Sequence, residues 1–427
     1  MWSRHTVSAM APAGTLAESP TRNPLNTAEH ILHVLAGVRI GVVVCLLLAP
    51  GFAYAQDTRE AEIAALQREK AANLAPRQQS WAEEMLLHVR QTLVEQPSGF
   101  YPYFDSVYSG GGFTLGEGYR RFTGDRTHWS IAGLYSVAGY KLIEASEVSP
   151  GHFSGRLDLR ATAGWRDATR VAYHGLGIDS PAEGAAFRMQ QGYGGGSATF
   201  RPHKFVFLTA DAIYENFTLK DPTDDSIPVG AVGAPFAPGA GANPDYIHTA
   251  VSAAFDWRPA ADYARRGGQY LIARHHYDDR DDTYSFDRLD AEIVQHVPIL
   301  RENWVLSFHG RLQTTLGDSD QVPYFLLPAL GSGSTLRGYS SWRFRDRHGV
   351  LASGEWRWIV NRMALDMALF YDTGMVAPTL DAITLRSFAS NYGIGARFHG
   401  PTRTPLRIEL AHGREGFHLV FAASAAF

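Results

Sequence analysis

The sequence predicts an all-β chain: a transmembrane antiparallel β-barrel of about fourteen to sixteen strands behind a short N-terminal helical segment. Three observations lead there. Side chains alternate between apolar and polar from about residue 104 onward, tight turns alternate with long polar connections, and the composition is rich in glycine and aromatics but poor in charge.

Of the 427 residues, 42 are Gly, 12% are aromatic and 19% are charged. The charged share lies below the roughly 25% of an ordinary soluble domain. Such a balance suits a shell that is apolar outside and polar inside. A net charge of -4 offers no basic surface for nucleic acid.

The strongly apolar stretch comes early. Arg39 precedes Ile40–Ala49 and Pro50, and Ala53-Tyr54-Ala55 follows. A basic flank, a short apolar run and an A-x-A site make a secretory signal, and the run is about half of what a spanning helix needs. Cleavage after Ala55 makes Gln56 the first mature residue. Cys45, the single cysteine, is then lost, and Val44 before it argues against a lipid anchor. A mature chain without cysteine has neither disulfides nor thiol chemistry. Residues 57–96 read as helix, because Ile63, Leu66, Trp81, Met85, Leu86, Val89 and Leu93 recur at helical spacing, with a break at Pro76. The expected division is 1–55 signal peptide with leader, 56–103 periplasmic helical segment and 104–427 outer-membrane barrel.

The period-two segments are clearest toward the end. Met363, Leu365, Met367, Leu369 and Tyr371 share one face, and Ala364, Asp366, Ala368, Phe370 and Asp372 the other. Trp304, Leu306, Phe308 and Leu312 oppose Val305, Ser307, His309, Arg311 and Gln313, and Leu406, Ile408 and Leu410 oppose Arg407 and Glu409. Each strand thus has an apolar and a polar wall. A soluble sandwich would alternate as well, so the connections carry the distinction. Strands are expected at 106–122, 128–146, 153–174, 184–201, 204–219, 246–258, 268–277, 285–298, 304–316, 349–360, 363–374, 388–399, 404–413 and 417–427, with room for two more in the longest segments. Tight turns at 201–204, 300–303 and 360–362 fall at one end, and long loops at 175–183, 220–245, 317–348 and 375–387 at the other. That asymmetry is the mark of a membrane barrel with both termini periplasmic.

In one long loop the chain reads Leu330-Gly331-Ser332-Gly333-Ser334-Thr335-Leu336-Arg337-Gly338-Tyr339, followed by Phe344-Arg345-Asp346. Gly354-Glu355-Trp356-Arg357-Trp358, Phe370-Tyr371-Asp372-Thr373-Gly374, Tyr173–Ser180 and an ending Phe417–Phe427 accompany it. This ordered set, across roughly 100–427, resembles the BamA/TamA superfamily of outer-membrane proteins, the bacterial surface antigens. The resemblance implies that the Leu-Arg-Gly-Tyr tip folds back into the lumen and that Arg337 meets strand carboxylates, Glu355 and Asp372 being the matching positions. Parity agrees, since Asp372 opposes the Met and Leu stripe and Glu355 opposes Trp356 and Trp358. Arg337, Gly338, Tyr339, Glu355 and Asp372 are therefore expected to form a lumen latch, structural rather than catalytic. Phe427 is expected to be the C-terminal assembly signal.

The resemblance also implies translocation or insertion of protein or lipid at the outer membrane. Outer-membrane lipids, lipopolysaccharide, the barrel-assembly machinery and a periplasmic partner supplying substrate are the expected partners. The stretch 56–103 is too short for a POTRA module, so the chain resembles a POTRA-less branch. A passive pore or structural barrel is the alternative, and an outer-membrane lipid hydrolase a weaker one. No enzyme activity, cofactor or metal is expected. No G-x-S-x-G elbow occurs, His275 and His276 fall on opposite faces, and Tyr277-Asp278-Asp279-Arg280-Asp281-Asp282 lacks calcium-loop spacing. Ser307 and His309 share a lumen wall, a pairing easily met by chance.

Overall fold

The computed structural model describes residues 64, 66, 67 and 98–427, apart from 104, 232–236, 301, 319–320, 362–363, 401, 405 and 423. The chain divides into two units, Met1–Ser80 and Trp81–Phe427. Of the first, the described residues Ala64, Leu66 and Gln67 are helical. The signal peptide, its cleavage site, Cys45 and the rest of the expected helical segment up to residue 97 lie outside the described residues.

The second unit is built from β1 (Gly99–Tyr103), β2 (Thr114–Phe122), β3 (His128–Ser136), β4 (Lys141–Gly151), β5 (Leu157–Tyr173), β6 (Ala185–His203), β7 (Val206–Lys220), β8 (Asp245–Asp256), β9 (Gly267–Asp279), β10 (Phe286–Leu300), β11 (Trp304–Leu316), β12 (Ala329–Leu330), β13 (Phe344–Arg345), β14 (His348–Asn361), β15 (Leu365–Ala377), β16 (Ala389–Phe398), β17 (Leu406–Gly413) and β18 (Gly416–Ala422). Sixteen of them form one antiparallel sheet in chain order, with the short β12–β13 hairpin set apart inside the β11–β14 connection. Hairpin neighbours pair along their whole length, as when β10 meets β11 from Asp287↔Leu316 to Leu300↔Trp304. This is an up-and-down barrel, at the upper end of the expected strand count.

The count rises in two places. The expected strand 128–146 is two, β3 and β4, because Gly139 at φ +80° turns the chain after Ser136. The other is β1, which falls within 56–103, the stretch assigned to the helical segment. It carries Pro102, and proline is tolerated on an edge strand; β1 is an end strand of the sheet order. Pro202 likewise sits where the β6–β7 register shifts, between Phe200 and His203. A third difference lies at the C-terminus: β18 ends at Ala422, not at Phe427.

Which side chains face out decides the solvent. Phe417, Val251 and Ile272 are 71%, 59% and 52% exposed, whereas Asp372 and Glu409 are wholly buried at 0%. A soluble sandwich would show the reverse, with its apolar stripe inside. Here the charges fill the interior and the apolar stripe forms the outer wall, as hydrocarbon requires. Among the described residues no helix is long and apolar enough to cross a membrane; strands do the crossing.

The two ends differ. At the loop end lie 174–184, 221–244, 317–347 and 378–388, and at the turn end 204–205, 301–303 and 362–364, as expected; 104–113 at the loop end and 152–156 at the turn end take up parts of the expected strands 106–122 and 153–174. The asymmetry is not complete: the loop end also has the short connections 137–140, 280–285 and 414–415, and the turn end has the longer 399–405 and 257–266, the last being the longest there. Strands β5 and β6 run to 17 and 19 residues, well past the roughly 9–11 that span a bilayer. Their projecting ends enclose an aromatic core.

An arginine at the centre of the apolar belt checks the facing. Ile272→Arg is expected to lower stability by about 2–4 kcal/mol, as for midplane lipid-facing cations. Urea titration of the heat-modifiable gel band in lipid measures it, and an unchanged midpoint would place Ile272 away from hydrocarbon.

Candidate functional site

The long connection 317–347 does not cover the barrel from above; it enters it. Its first arm places Val322, Tyr324, Phe325 and Leu327 in a buried cluster with Phe187, Met189, Phe217, Tyr246 and Tyr277 of the β6–β9 wall. The Tyr324 ring stands edge-on to Phe187 with centroids 4.9 Å apart, and Phe325 tilts against Phe217 at 5.1 Å. Aromatic packing of this kind excludes water and gives the arm one seat.

The second arm is the β12–β13 hairpin, which carries Leu336 to Tyr339 at its tip. Leu336 and Tyr339 pack with Leu330, Phe344, Leu351 and Val376. Gly338 is needed because a Cβ there would lie 2.5 Å from the Cβ of Asn391 and 2.9 Å from the Gly413 backbone nitrogen. A Cβ on Gly413 would in turn meet the Gly338 carbonyl oxygen at 2.5 Å. Two bare backbones therefore touch, and the tip is pressed flat on β16 and β17.

That contact delivers Arg337 to the wall. Its Nε donates to Asp372 Oδ2 at 2.9 Å and its Nη2 to Asp372 Oδ1 at 2.7 Å, the bidentate geometry that a planar guanidinium suits. Nη1 donates to Glu355 Oε2 at 3.1 Å and to Glu409 Oε1 at 3.0 Å. Its guanidinium carbon lies 3.5 Å from the centre of the Phe370 ring. Tyr339 OH donates to the Ser390 carbonyl at 3.2 Å.

So Arg337, Glu355 and Asp372 meet, with Gly338 and Tyr339 seating the tip. Sequence reasoning did not name the rest of the cluster. Arg397 binds both oxygens of Glu355, and its Nη2 reaches Glu409 at 3.0 Å. Arg407 Nη1 donates to Glu409 Oε2 at 2.7 Å and its Nη2 to the Gly333 carbonyl at 2.9 Å. Asn391 Nδ2 donates to Asp372 Oδ2 at 2.8 Å. Three arginines thus face three carboxylates, and formal charge cancels. The signal for Arg407 and Glu409 was present in their shared parity opposite Leu406, Ile408 and Leu410.

The flank of the hairpin is tied down as well. Arg343 donates to the Ser180 hydroxyl and carbonyl at 2.9 and 2.8 Å, and pairs with Glu415 at 2.7 Å. Gly177 N donates to the Arg345 carbonyl at 2.9 Å. The Tyr173–Ser180 run therefore anchors the same loop.

The other sequence candidates fall elsewhere. Asp279 is a turn cap, its carboxylate accepting from the backbone of Thr283 and Tyr284 at 3.2 and 3.0 Å. His275 points inward to His248, 3.0 Å away, while His276 faces out beside Asp287. Ser307 bonds His296 at 2.8 Å, and His309 bonds Glu292 at 2.7 Å. Phe427 lies past β18, its ring stacked against His309 with centroids 5.1 Å apart. It is not part of the outward row Phe417, Leu419, Phe421.

Removing one partner of a buried pair leaves a charge uncompensated and typically costs about 3–5 kcal/mol. Glu409→Gln strands parts of Arg337, Arg397 and Arg407 together, so a loss of about that size is expected in the urea midpoint. Arg201→Ala, which breaks a half-exposed pair with Asp158, should cost no more than about 1 kcal/mol. Equal effects would dismiss the cluster as a stabilising centre.

No protein-family model matches the chain, and no curated protein does. Among solved structures, BamA from Haemophilus ducreyi lacking POTRA domains 1–3 superposes with a TM-score of 0.56 at 14% identity, over 76% of this chain and 69% of that one. CdiB from Acinetobacter baumannii superposes with a TM-score of 0.51 at 9% identity, over 76% of this chain and 56% of that one. At such identities the likeness is one of architecture: the second unit of this chain has the fold of the BamA-type barrels.

Proposed function

We propose that the protein is an outer-membrane barrel, termini in the periplasm, that moves protein or lipid into or across that membrane. The filled lumen carries this reading. A passive pore needs an open path, and here both arms of 317–347 occupy the loop end, one through aromatic packing and one through Arg337. The sheet ends support it too. Every other neighbour in the sheet is laddered, but no pairing joins β1 to β18 among the described residues, and β1 is only five residues long. A five-residue strand can contribute only a few ladder hydrogen bonds to the closure beside it, so this seam is where the wall opens most easily.

In this proposal Arg337, Gly338, Tyr339, Glu355 and Asp372 form a latch that holds the loop while the seam works, and none of them does bond chemistry. The outer wall contacts outer-membrane lipids and lipopolysaccharide. The barrel-assembly machinery inserts the chain, reading its C-terminal segment up to Phe427, and a periplasmic partner delivers the substrate.

The test combines a deletion strain with recordings on purified protein. Loss of the chain is expected to alter the protein or lipid content of the outer membrane, read by mass spectrometry. Re-expression of the unaltered chain restores it, whereas Arg337→Ala does not, at equal levels of the folded, heat-modifiable band. In planar bilayers the unaltered protein should show little steady current. A steady current from it, with outer-membrane content unchanged in the deletion strain, would favour the passive pore instead.

A further inference from the structure

The turn end of a barrel of this kind is expected to be open, with short hairpins around a mouth. Here the long connection 257–266 leaves β8 and crosses to the wall formed by β14 to β17. Tyr263 and Ala264 are buried there, only 6% and 3% exposed. Tyr263 OH donates to Asp366 Oδ2 at 2.7 Å, and its ring lies parallel to His399 with centroids 4.1 Å apart. Arg357 donates to the Ala264 carbonyl, and its guanidinium carbon lies 5.2 Å from the centre of the Tyr263 ring. Thr404 Oγ1 donates to the Asp262 carbonyl at 3.0 Å, and Arg403 pairs with the Asp262 carboxylate at 3.6 Å. In the sheet, β10 and β11 separate β9 from β14. The connection is therefore a chord across the mouth and not a turn between neighbours.

A second chord runs from β18. After Ala422 the chain leaves the sheet, and Phe427 ends against His309 of β11 and His296 of β10, centroids 5.1 and 6.3 Å away, with Ala426 buried beside it. Again the segment lands on strands that are not its neighbours.

We propose that 257–266 and the C-terminal tail form a lid at the turn end, in series with the loop plug at the other end. The lumen is then closed twice. This rests on the barrel fold alone, not on what the barrel carries. Both closures bear on one wall. Arg357, which holds the lid, follows Glu355, which holds Arg337, two positions along the same face of β14. Asp366, which takes the Tyr263 hydroxyl, lies on the same inner face of β15 as Asp372. A cavity of about 240 Å³ lies on the inner face of β7 to β11, lined by Asp211, Ser252, His275, Asp290, Glu292 and Arg311.

Two closures in series give a pattern that one closure cannot. In planar bilayers, Arg337→Ala alone and Tyr263→Ala alone should each leave the steady current near that of the unaltered protein, while the double variant raises it at least tenfold. A disulfide supplies the converse. With Cys45→Ser as background, Asp262→Cys and Thr404→Cys should cross-link on oxidation, seen as a mobility shift reversed by reductant. In a chain that also carries Arg337→Ala and Tyr263→Ala that bond should lower the raised current, and dithiothreitol should restore it. If Arg337→Ala does not give the heat-modifiable band, Arg337→Lys takes its place. Failure of the cysteines to join, or equal currents in the single and double variants, overturns the lid.

Discussion

Hydrocarbon accepts no hydrogen bonds, so every backbone amide and carbonyl of a spanning segment needs a partner within the protein. In this chain that restriction gives sixteen strands in sequence order, each laddered to the next. It also turns the usual protein inside out. Apolar side chains such as Val251 and Ile272 must face outward, so the polar half of each strand is forced into a narrow interior. The interior then has its own problem, because charges gathered there must neutralise one another.

How far the sequence showed this depended on the range of the interaction. Alternation is local, and the inner faces of Glu355, Asp372, Arg407 and Glu409 could be read from two-residue spacing. The apolar belt was visible for the same reason, although the sequence could not say whether lipid or a second sheet covered it. Exposure settled that. β1 was hidden because five residues that include Pro102 show too little alternation to stand apart from the stretch before them. β3 and β4 merged because Val137-Ala138-Gly139-Tyr140 carries a single glycine and no proline to mark the turn.

Contacts between distant strands were the least visible. Arg397 completes the charge cluster through Glu355 and Glu409, and nothing in its local sequence names those partners. The Leu-Arg-Gly-Tyr tip was legible through resemblance, yet the reason for its glycine is a backbone on another strand, Gly413. The contacts of Tyr263 and Phe427 could not be read from the sequence. One sits in the connection between the expected strands 246–258 and 268–277, and the other was expected as the last residue of a strand. Both owe their positions to chords across the mouth.

The charge count around Arg337 bears on how such a barrel comes to be folded. Without the hairpin the wall would hold Glu355, Asp372 and Glu409 against Arg397 and Arg407, one negative charge too many. Arg337 supplies the cation that balances them. A wall with a wrong register would place those carboxylates on the lipid side and offer the arginine no seat. The arginine thus fits only a wall whose strands already stand in this register.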